Sequence, residues 1–99
     1  MNLQSKLRLS IMRGLWGEVF QTLRAVVCFI HAENSILIVF YVDGAISESD
    51  EESVDEAVTE VLADFTSNVD ITHEIRRVDY PSRMDFDDGV LVYLRKEAA

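Results

Sequence analysis

Three sets of residues in the sequence could carry chemistry. Asp85, Asp87 and Asp88, followed by Gly89, bring hard oxygen ligands together and raise a calcium reading. The twelve-residue ligand spacing of an EF-hand and its bidentate Glu are missing, so a solvated turn explains them with fewer demands. Cys28 and His31 are soft ligands three apart. On a strand, that spacing points them to opposite faces, so they cannot share a metal. The third set is the carboxylates Glu48, Asp50, Glu51, Glu52, Asp55, Glu56, Glu60 and Asp64. Carboxylates that do acid/base work need partial burial to move their pKa values. These lie opposite an apolar stripe and should face water. No glycine-rich phosphate loop and no nucleophile-base motif accompanies them. The chain reads as a binding protein, with no cofactor and no metal, rather than as an enzyme.

The chain of 99 residues carries a net charge of −9 and has a pI near 4.5. From Asp43 to Asp70 there are ten acidic residues and no Lys or Arg. The remainder is close to neutral. Such a field argues against a nucleic-acid partner, because phosphate requires clustered Lys and Arg. It suits a basic protein. Apolar residues make up 48% and charged ones 27%, a globular balance that supports one domain over residues 1–99. No apolar run approaches the roughly 18 residues of a membrane span, and no signal segment is recognisable. The lone Cys28 fits a reducing compartment, so a cytoplasmic location is expected.

The elements that must hold the acidic set follow from periodicity. Asn2 to Arg13 reads as a helix, with Leu3, Leu7 and Ile11 on one stripe, Met12 widening it and Leu9 breaking it. Trp16, between Gly14 and Gly17, is expected to plug the core. Thr22 to His31 and Ile36 to Val42 read as strands joined by the polar linker Ala32-Glu33-Asn34-Ser35. The second is apolar on both faces: Ile36, Ile38 and Phe40 on one, Leu37, Val39 and Tyr41 on the other. Such a strand is central, covered by helices on both sides or by a partner. Val54, Ala57, Val58, Val61, Leu62 and Phe65 form a continuous helical stripe. Ser49 with Glu52 supplies a capping box, so this helix is expected from about Asp50 to Phe65. Ile71 to Val78 alternates as a half-exposed strand, and Val90 to Leu94 is the last. The order αββαββ predicts an α+β fold with a four-stranded, largely antiparallel sheet, built from two hairpin-like strand pairs.

The expected docking set is Glu48, Asp50, Glu51, Asp55 and Glu56 on the helix, with Tyr80, Asp85, Asp87 and Asp88 in the loop that follows the third strand. Tyr80, Arg83, Met84 and Phe86 are the loop's candidate anchors.

Five stretches carry a resemblance: Leu23-Arg24-Ala25-Val26; Phe40-Tyr41-Val42-Asp43-Gly44-Ala45-Ile46-Ser47-Glu48; Thr59-Glu60-Val61-Leu62-Ala63-Asp64-Phe65; Asp79-Tyr80-Pro81; and Leu91-Val92-Tyr93-Leu94-Arg95-Lys96-Glu97. With these landmarks the chain resembles the small bacterial immunity proteins of contact-dependent growth inhibition and polymorphic toxin systems. The resemblance implies an antidote that binds and blocks the toxic C-terminal domain of a sister cell's effector, often a nuclease. The partner would be a basic toxin domain. The alternative is a self-associating structural or regulatory domain, a homodimer whose interface uses the doubly apolar second strand.

Overall fold

A computed structural model describes residues 2–32, 34–65 and 69–97. They form two helices and four strands in the order α1 (Leu3–Gly14), β1 (Leu23–Ala32), β2 (Ser35–Val42), α2 (Glu48–Asp64), β3 (Asp70–Arg77) and β4 (Val90–Leu94). Glu33, in the expected hairpin linker, lies outside the described residues. The fold is α+β, in the expected element order.

The sheet runs β3-β2-β1-β4. β1 pairs antiparallel with both β2 and β4, while β2 and β3 are parallel. The sheet is therefore mixed, and largely antiparallel as expected. The second hairpin is not there: β3 and β4 occupy opposite edges. The physical reason is α2. A long helix between two strands returns the chain to the starting end of the sheet, so the next strand runs parallel to the one before it.

Both helices pack on one face. There Leu7 and Ile11 of α1 and Val54, Ala57, Val58 and Val61 of α2 bury against Val26, Cys28, Ile36, Ile38 and Phe40. Each fully buried large aliphatic contributes roughly 1.5–3 kcal/mol. Leu62 departs from the expected stripe and stands 46% exposed. Among the described residues, no helix covers the opposite face. Residues 78–89 cross it as a strap, setting Val78, Met84 and Phe86 on Ala25, Val27, Val39 and Tyr41. The two apolar faces of β2 are thus both covered within the chain, by the helices and by the strap, with Leu37 left partly exposed.

Arg24, 3% exposed, anchors the strap. Its Nη1 donates to the carbonyls of Val78 and Ser82 at 2.7 and 3.0 Å, and its remaining donors reach Glu97. Tyr41 adds a hydroxyl hydrogen bond to the Asp85 carbonyl at 3.1 Å. Phe86 meets the Tyr41 ring edge-on, with centroids 5.5 Å apart.

The helices meet closely at Gly14. A Cβ there would lie 2.7 Å from the Ala57 carbonyl oxygen, so only glycine allows this approach. The same contact region is tied by charge. Ser10 Oγ and Arg13 Nη2 both donate to Asp64 Oδ2, each at 2.6 Å.

Candidate partner-binding surface

α2 begins two residues earlier than its sequence pattern suggests. Ser47, not Ser49, is the N-cap, and the capping box is closed by Asp50 rather than Glu52. Asp50 N–H donates to Ser47 Oγ at 3.1 Å, and Ser47 N–H donates to Asp50 Oδ2 at 3.2 Å. Ile46, just before the cap, packs on the core and fixes where the chain enters the helix. Glu48, Asp50 and Glu51 fall in the first turn, where their charge opposes the helix dipole.

The carboxylates then follow the helix outward. Glu48, Glu51, Glu52, Asp55, Glu56 and Glu60 are exposed. Asp55 Oδ1 lies 3.6 Å from His73 Nε2 on β3. Asp64 is the one carboxylate of this helix that an arginine neutralises among the described residues. On the side facing α1, Glu56 approaches Glu18. Hydrogen bonding with Glu56 raises the Glu18 pKa above the ordinary carboxylate value, and repulsion from the Glu56 charge adds to it.

The expected loop residues lie elsewhere. Asp85, Asp87 and Asp88 belong to the strap on the face of the sheet away from α2. There Asp87 and Asp88 line a shallow hollow with Phe29, His31, Leu37 and Arg76. Their shape comes from local turn bonding. Asp87 has φ 43°, a value aspartate tolerates. Its N–H donates to Asp85 Oδ1 at 3.1 Å, and hydrogen bonding with the Asp85 side chain, then its charge, raises the Asp87 pKa. Met84 and Phe86 face inward onto the sheet, so they are not outward anchors. Tyr80 sits at the end of β2, its N–H donating to Asp43 Oδ1 at 3.1 Å, with the Arg24 guanidinium 5.7 Å from its ring centre. The structure therefore gathers the helix carboxylates on one surface and separates them from Asp85, Asp87 and Asp88.

Trp16 corrects a further expectation. It is 77% exposed, not a core plug; its neighbour Leu15 fills the core instead. Leu9, Met12 and Val19 are also about half exposed. The break that Leu9 makes in the α1 stripe is the sequence sign of this second apolar surface. Trp16 borders two depressions. One, an open groove of about 450 Å³, runs between α1 and α2 and is lined by Arg13, Gly14, Glu18, Glu56, Thr59 and Glu60. The other lies between the α1 exit and β4, lined by Met12, Leu15, Val19, Val92 and Tyr93.

Among the described residues, no group of three or more His, Cys, Asp or Glu is arranged to hold a metal ion. The Cys28 thiol is buried, and burial pushes its pKa up. No helix there is long and apolar enough to cross a membrane.

Two helices on one face of a mixed four-stranded sheet, with a carboxylate-studded helix turned outward beside an open groove, define a small α+β domain. The family model of the MafI2 immunity proteins matches residues 4–97, and the chain belongs to that family. It is thus an immunity protein of the polymorphic-toxin type, whose partner is a toxin. No curated protein matches the chain.

Proposed function

We propose that the chain neutralises its cognate toxin domain by stoichiometric binding, using the outward carboxylates of α2 against a basic surface of the toxin. The observation that supports this reading is the state of those carboxylates. Glu48, Glu51, Glu52, Glu56 and Glu60 have no Lys or Arg partner among the described residues. An uncompensated field of one sign repels itself, and a partner of opposite sign relieves it. A nuclease that grips phosphate must display basic residues. Carboxylates on α2 can occupy that surface and deny it to substrate. The toxin is then a nuclease domain of an effector passed between sister cells, and the immunity protein meets it in the cytoplasm, where Cys28 stays reduced.

The test uses the cognate toxin domain and the variant Glu51→Lys, Glu52→Lys, Asp55→Lys. Asp50 is spared because its carboxylate closes the helix cap. The expected result is association slowed about tenfold at low salt, with a flatter dependence of on-rate on ionic strength. Unchanged association kinetics in a variant that keeps its thermal midpoint would reject α2 as the docking element.

A further inference from the structure

Resting on that reading, we propose that Trp16 is the anchor of the toxin interface. An arginine or lysine of the toxin domain enters the groove between α1 and α2, and an adjacent apolar toxin side chain fills the hollow between the α1 exit and β4. Trp16 lies on the border of both depressions.

Charge complementarity identifies the first occupant. Glu18, Glu56 and Glu60 line the same groove, and its own arginine, Arg13, is held by Asp64 at 2.6 Å. The convergence of Glu18 and Glu56 is unfavourable between two carboxylates and is relieved by a cation between them. The Trp16 indole borders the same groove, and an aromatic ring there can add an attraction specific to a cation, stronger for a guanidinium that can stack. The second depression identifies the neighbouring group. Met12, Leu15, Val19, Val92 and Tyr93 make it apolar, and Met12 and Val19 are about half exposed in the isolated chain. An exposed tryptophan between an apolar hollow and a charged groove has the composition of an interface hot spot, a central aromatic with a polar rim. Leu15 fills the core position beside it, so folding places no demand for a large apolar side chain at position 16.

The division of labour follows. Carboxylates nearer the start of α2 steer the encounter and govern the on-rate. Trp16 holds the docked complex and governs the off-rate.

The experiment measures binding kinetics of the full chain with the cognate toxin domain. Trp16→Ala is expected to raise the off-rate about thirtyfold or more. Val19→Ser is expected to act in the same direction with a smaller effect. Ser82→Ala, exposed on the strap, is the control and should leave the off-rate unchanged. Because Trp16 is so exposed, its truncation should leave the urea midpoint in place. An off-rate within about twofold of the parent overturns the proposal. If the lysine variant of α2 still slows association in that case, only the Trp16 anchor fails. If the parent chain does not bind the toxin domain, the reading it rests on fails as well. If Trp16→Ala instead converts a dimer into a monomer in sedimentation, with toxin kinetics intact, the surface belongs to a second copy and the proposal is overturned.

Discussion

Arg24 and Glu97 form a two-pronged ion pair across most of the chain's length. Nε donates to Oε2 at 2.7 Å and Nη2 to Oε1 at 2.9 Å. Arg95 Nη2 joins the same carboxylate at 2.9 Å. Arg24 also holds two carbonyls of the strap, so one guanidinium ties β1, the strap and the chain's end. Removing Glu97 leaves a buried guanidinium with carbonyls alone. Breaking a buried pair costs roughly 3–5 kcal/mol. Glu97 is 18% exposed, and Arg24 keeps two acceptors, so Glu97→Ala should cost about 2 kcal/mol in urea unfolding. Arg24→Lys should also destabilise, because an ammonium cannot reproduce the fork.

The same pair sets an acid limit. Hydrogen bonding from Arg24, ahead of that from Arg95, lowers the Glu97 pKa from 4.5 to about 2. A carboxylate depressed in the folded state stabilises it fully above the unfolded value. That stabilisation is lost as pH falls from about 4.5 towards about 2. Glu97→Gln should therefore be less stable than the parent near neutrality, and its stability should fall less steeply over that window. Parallel slopes in the two proteins, followed by circular dichroism, would contradict the assignment.

The helix start gives a sharper discrimination. Ser47→Ala removes the cap acceptor and should cost about 1 kcal/mol. Ser49→Ala, inside the first turn, should be within about 0.5 kcal/mol of the parent. Thermal melts of the two variants decide between the two serines. Equal effects would mean that the helix begins at neither one uniquely.

Much of this molecule could be read from its residues before its shape was known. Leu7 and Ile11 set the buried face of α1, the double alternation of β2 placed it at the sheet's centre, and Val54 to Val61 defined α2. What escaped detection was decided by competition between equally good local signals. Ser47 with Asp50 and Ser49 with Glu52 are both plausible caps, and the packing of Ile46 settles the choice. The apolar run through β1 and β2 demanded two covers, but nothing local showed that the second was a strap carrying Met84 and Phe86. The acidic helix was evident as a candidate surface, whereas the strap aspartates looked like its continuation because sequence distance conceals which side of the sheet a loop crosses. Trp16 was misplaced for a simple reason. Large apolar residues are usually inside, and only the choice of Leu15 as the inward neighbour turns the indole out.

Gly14 has a consequence for diversification. It lines the groove beside Trp16, and the main chain of Ala57 stands directly behind it. That part of the groove is backbone, so sequence drift cannot easily remould it without prising the two helices apart. On the proposed docking, a lineage that must match changing toxins can alter the rim at Glu18, Glu56, Thr59 and Glu60, while the base under them stays as it is. Selectivity would then be rewritten by side chains standing on an invariant seat.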